Sequence, residues 1–126
     1  MLIDSNIIIY ASKPEYPDLR IFVAQHSPVT SAISYVEVLG YHKLTPQDRS
    51  FLEAFFSATT VLPISQDIVE QATRLRQVKK MSLGDALIAG TALTHNLTLV
   101  TRNATDFAWI AGLQVLNPFD SPSTTS

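Results

Sequence analysis

Leu83-Gly84-Asp85-Ala86-Leu87-Ile88-Ala89 and Leu97-Thr98-Leu99-Val100-Thr101-Arg102-Asn103 decide the fold class of this 126-residue chain. The first stretch opens a helix. Ser82 stands as N-cap with an acid, Asp85, three residues on, which is the capping-box pattern. The helix continues through small residues (Ala86, Ala89, Gly90, Ala92) that allow it to lie close to a sheet, and Asn96 can end it in a left-handed turn. The second stretch is the clearest strand in the chain. A strand directly after a helix, repeated along a sequence, implies βαβ units and a parallel sheet covered on both faces.

The same alternation runs outward in both directions. Towards the N-terminus, Asp67 to Lys80 reads as a helix with an apolar stripe of Ile68, Ala72 and Leu75. Thr60 to Ile64 is a short strand, and Pro63 places it at an edge. Thr45-Pro46-Gln47-Asp48 opens a helix with proline at the first helical position. Ser34-Tyr35-Val36-Glu37 reads as another capping box, after a strand at Pro28 to Ser31. Leu19 to Gln25 is expected to be helical, behind a loop set by Pro14 and Pro17. Leu2-Ile3 is a strand that ends at Asp4, with Ser5 as N-cap of a helix through Ala11. Towards the C-terminus, Val115-Leu116 is a last, weak strand. The expected organisation is one α/β domain over residues 1–120, with three α/β/α layers and a central, mostly parallel sheet. Residues 121–126 have the composition of a flexible tail.

Composition narrows the function. With 46% hydrophobic and 16% charged residues the chain can bury a core. It has no cysteine, which removes disulfides and thiolate metal sites and fits a reducing compartment, so the cytoplasm is the expected location. Asp4 directly follows the apolar start, against a signal peptide, and no apolar run reaches membrane-spanning length. The net charge of −2 is unlike that of a general nucleic-acid binder.

Four acids stand out: Asp4, Glu37, Asp85 and Asp106. Each follows a short apolar run at or near a helix start. Singly, capping or turn formation explains each of them. Jointly, a parallel sheet brings such positions to the carboxyl ends of its strands. Like charges gathered there repel and raise one another's pKa values, and a divalent cation removes that cost. Oxygen donors suit Mg²⁺ or Mn²⁺. Zinc is disfavoured, because His26, His42 and His95 show no ligand spacing. Thr101 and Asn103, after the clearest strand, are placed to hydrogen-bond a carboxylate, and Asn6 lies beside the first acid. Arg74, Arg76, Lys79, Lys80 and Arg102 are candidate phosphate contacts, with a solvated helix face as the plain alternative for the cluster.

Taken together, Ile3-Asp4-Ser5-Asn6, Ser34-x-x-Glu37, Leu83 to Ala89 and Leu99 to Phe107 resemble the motifs of the PIN-domain family, specifically toxins of the VapC type, over Leu2 to about Pro118. The resemblance implies a metal-dependent endoribonuclease with Asp4, Glu37, Asp85 and Asp106 around Mg²⁺ or Mn²⁺. It also implies an RNA substrate, a cognate antitoxin, a homodimer, and products with a 5′-phosphate and a 3′-hydroxyl. Ser5 replaces a more usual threonine. Asn103 stands where some relatives carry a further acid, and there the site is expected to depart from them. A receiver-like signalling domain is one rival of similar size, but it wants paired acids after the first strand, and Asp4 stands alone. An interaction module that keeps the acids only as caps is a second rival. A PIN nuclease for RNA processing without an antitoxin is a third.

Overall fold

In the computed structural model, which describes residues 1–120, the five strands are β1 (Leu2–Ile3), β2 (Thr30–Ser31), β3 (Val61–Leu62), β4 (Leu99–Val100) and β5 (Val115–Leu116). The helices are α1 (Ser5–Ala11), α2 (Pro17–His26), α3 (Ala32–Leu39), α4 (Pro46–Ala58), α5 (Gln66–Val78), α6 (Leu83–His95) and α7 (Ala104–Phe107). The expected tail at 121–126 lies outside the described residues.

All strand pairings are parallel. β1 pairs with β4, β4 with β5, and β2 with β3. A parallel bridge between Leu2 and Val29 joins the two groups, so the strands run in the order β3-β2-β1-β4-β5. The chain leaves β1 towards β2 and β3, then returns to β4 on the other side. This reversal makes a topological switch point between β1 and β4, where the carboxyl ends of strands leave an open crevice.

Alternation along the strands builds the three layers. Leu2 pairs with Leu99 and Ile3 with Val100. Ile3 and Val100 join a core with Ile7, Ile8, Leu19, Val38, Leu52 and Phe56, from α1 to α4. Leu2 and Leu99 join the opposite core, with Leu75, Ile88, Ala89, Ala92 and Phe107, from α5 to α7. The two faces of one short sheet thus have separate apolar covers.

The small residues of α6 act as expected on one side and do something further on the other. Ala89 and Ala92 are buried towards the sheet. Gly90 instead faces α5, where a Cβ would stand 3.0 Å from the Ile68 carbonyl oxygen. The two helices therefore pack backbone to backbone as an antiparallel hairpin. Asn96 closes α6 with φ of 53°. That conformation disfavours a Cβ-bearing residue with no local hydrogen bonding of its own. Asn96→Ala is expected to cost about 1 kcal/mol, read as a lower denaturation midpoint with an unchanged m-value. An unchanged midpoint would show that the turn carries no strain.

Three local readings need correction. Ser5 is not the cap of α1; Asp4 is, its Oδ1 accepting from the Ile7 N–H at 3.0 Å. Ser34 is not the cap of α3; Ser31 is, accepting from the Ile33 N–H at 3.1 Å, and Ser34 is buried inside the helix. The helix at Asp106, which the sequence places near Phe107 with Asp106 as its cap, begins at Ala104, so Asp106 lies within it. In each case the chain turns one to three residues earlier than the pattern suggested. Strands of two residues leave no alternation from which to fix a boundary.

Candidate functional site

The switch point collects the acids. Asp4 follows β1 and, on the register of Ile3 with Val100, lies beside Thr101. Continued alternation puts both on the α5–α6 side of the sheet. Asp4 is only 9% exposed. Burial raises its pKa above 3.8, the ordinary value, and the Asp85 and Glu37 charges add to the rise; hydrogen bonding from the Thr101 hydroxyl and the Ile7 N–H opposes it. The Thr101 hydroxyl is itself held by the Asn103 N–H at 3.1 Å.

Asp85 stands in the first turn of α6, where Ser82 Oγ accepts from its backbone N–H at 3.1 Å. Its carboxyl is also raised above the ordinary value. Desolvation is the main cause, the Ser82 hydroxyl counteracts it, and the Asp106 and Glu37 charges reinforce it. Glu37, in the second turn of α3, is reached from α1. Ser5 Oγ donates to Glu37 Oε1 at 2.6 Å and lies 3.0 Å from Ser34 Oγ. The short bond to the carboxylate takes the Ser5 proton, leaving Ser34 to donate to Ser5. Asp106 is exposed and acts on Asp85. Among the described residues, no three carboxylate or histidine side chains surround one point closely enough to hold an ion as they stand.

The remaining candidates divide. Asn6 is exposed at the start of α1. Arg74 pairs with Glu70 at 4.0 Å, an exposed pair that adds little. Arg76 donates to the Met81 carbonyl at 3.2 Å. Lys79 lies 5.5 Å from the centre of the Trp109 ring, whose N–H donates to the Asp106 carbonyl at 3.0 Å. The turn between α5 and α6 thus sets Lys79 against Trp109, just beyond α7, and places Lys79 and Lys80 shortly before Ser82–Asp85 in the chain. Arg102 packs over Phe119, 4.3 Å from the ring centre, and Tyr10, at 5.2 Å, so it ties the C-terminal segment to α1. His26 stacks on Phe22, and His95 lies at the far end of α6 from Asp85.

Sequence reasoning missed Ser5 as the hydrogen-bond partner of Glu37, and Ser34 as the partner of Ser5. Ser34 and Glu37 are three residues apart and share a helix face; that spacing was the available signal, and it reads equally well as a capping box.

The PIN domain pattern matches residues 1–113. The chain belongs to the PIN domain family. Within it, the chain is 30% identical to ribonuclease VapC2 of Rickettsia felis, covering 92% of this chain and 96% of that one. It is 26% identical to ribonuclease VapC1 of the same organism, covering 92% and 94%. A toxin–antitoxin complex from Klebsiella pneumoniae contains a chain of the same fold, with a TM-score of 0.77 and 33% identity, covering 95% of this chain and 98% of that one. Among the described residues, no helix is long and apolar enough to cross a membrane.

Proposed function

We propose that this PIN-domain protein is a Mg²⁺- or Mn²⁺-dependent endoribonuclease, the toxin of a VapBC-type pair, working in the cytoplasm as a homodimer restrained by a cognate antitoxin. The observation that carries the chemistry is the pair Asp4 and Asp85 at the switch point, each raised above its ordinary pKa chiefly by burial, with neighbouring acids adding to the rise. The toxin assignment rests on likeness to the VapC ribonucleases and to the Klebsiella pneumoniae complex.

The donor set fits a hard cation, because carboxylate oxygens surround the crevice and nitrogen and sulfur donors do not. Mg²⁺ usually keeps several waters and takes one or two carboxylates from the protein. Asp4 and Asp85 would hold it directly, with Asp106 completing the site through water. That arrangement needs no ready-made cage of three acids. When bound, the ion supplies Lewis acidity towards water and the scissile phosphate. Glu37, steadied by Ser5, orients the attacking water and takes its proton. Thr101 fixes the Asp4 carboxylate, and in-line attack leaves a 5′-phosphate and a 3′-hydroxyl. Asn6 and Asn103 are uncharged supports at the rim.

Lys79 and Lys80 are best placed to hold flanking phosphates. Arg76 is engaged by the Met81 carbonyl and Arg102 by Phe119 and Tyr10, while Arg74 keeps only a weak, exposed pair with Glu70. Changing Lys79 and Lys80 to alanine should weaken RNA binding several-fold for every sequence. It should also flatten the slope of log affinity against log salt by about 0.7 per lysine lost from a single strand. An unchanged slope would remove them from the interface. The test of function is induction in cells of the wild type and of Asp4→Asn, with cut sites mapped across the RNA. Growth arrest with new RNA ends for the wild type alone is the expected result. Arrest without RNA cleavage would overturn the reading.

A further inference from the structure

Gly84 occupies the first turn of α6, between Leu83 and Asp85. Its helical position requires no side chain to be missing for backbone reasons. The space around it does. A Cβ built there would collide with Glu37 Oε2 and would stand 3.3 Å from Glu37 Cδ. The other oxygen, Oε1, accepts from Ser5 at 2.6 Å. The Glu37 carboxylate is therefore held on one side by a hydroxyl from α1 and seated on the other in a notch where α6 has no side chain.

We infer that Gly84 is a positioning residue: its missing side chain admits the Glu37 carboxylate to the N-terminal turn of α6, beside Asp85. This rests on the reading of the acids as the reactive site. The obstacle in a substituted protein would be the far end of a flexible side chain, not backbone. Alanine also favours helix over glycine. Gly84→Ala should thus leave the fold intact and swing the Glu37 carboxylate off its seat.

Two measurements test this. The first is the Glu37 side-chain carboxyl ¹³C resonance of the metal-free protein, wild type against Gly84→Ala. A clear shift, with most backbone amide resonances unmoved, is the expected result. An unmoved carboxyl resonance in folded Gly84→Ala overturns the inference. The second is kinetic. Gly84→Ala should lower kcat by about tenfold or more, with KM changed by less than about threefold, since a misplacement of about 1 Å can cost about a hundredfold. In the Glu37→Asp background the shorter side chain withdraws from the notch, and Gly84→Ala should then cost less than about twofold. An equal loss in both backgrounds overturns the inference. If Gly84→Ala alone fails to fold, adding Glu37→Ala should restore folding, and a double variant that stays unfolded overturns it. If the wild type cleaves no RNA, the functional reading fails while the carboxyl resonance still reports on the notch.

Discussion

Asp4→Asn should reduce RNA cleavage by at least about a hundredfold while leaving the protein folded. The size follows from the proposed role. Partners that only support a metal ligand typically cost about ten- to a hundredfold when removed, and a direct ligand should cost more. The folded state survives because the structural duties of Asp4 pass to asparagine. Asn is as good an N-cap as Asp, so the Ile7 N–H keeps its acceptor. The substituted side chain also carries no charge into a position that is 9% exposed. Metal-free Asp4→Asn should therefore melt no lower than the wild type at neutral pH. Asp106→Asn should lose less activity, because Asp106 is exposed and reaches the site through Asp85. A wild-type rate in a clean preparation of Asp4→Asn would remove Asp4 from the site. A matching fall in melting temperature would show that the substitution acts on the fold instead.

The sequence made the layout legible where turns and helices carry chemical punctuation. Ser82 with Asp85, Thr45 with Pro46, and Asn96 each fix a helix end through a specific hydrogen bond or a left-handed turn, and all three ends are found. The parallel sheet followed from the alternation of helix and strand, although every strand has only two residues. It resisted reading at Asp4, Ser5 and Ser34. A hydroxyl or carboxyl before a helix is the same signal whether it caps that helix or reaches across to another element. Ser34 lies inside α3 and Ser5 in α1, and their contact spans 29 residues. No local pattern reports such a contact. The joint position of the acids was legible because topology alone fixes which end of a strand they follow. Their spacing about a common point was not, since that depends on side-chain directions such as the one Gly84 permits.

The melting temperature should rise with Mg²⁺ or Mn²⁺ at neutral pH and lose that response in acid. Asp4 and Asp85 are both raised above 3.8 in the folded protein, chiefly by desolvation. The folded state therefore holds protons more tightly than the unfolded chain across the window from about pH 4 up to the raised values. The sign follows from that. Where the folded state binds more protons, stability falls as pH rises, so the empty site is least stable once both carboxylates are charged. A cation that binds only the folded form offsets this. At a hundred times its dissociation constant it adds about 2.7 kcal/mol, roughly 10 °C for a chain of this size. As pH falls below those raised values the carboxylates carry protons and the cation cannot compete for them, so the increment should fade towards pH 4. Asp85→Asn should abolish the increment at every pH and, by removing one like charge from beside Asp4, flatten the fall of metal-free stability with pH. Melting curves from pH 4 to 8, with and without millimolar Mn²⁺, read both effects. An increment that persists in Asp85→Asn would place the ion elsewhere, and no increment in the wild type would remove the cation from the site.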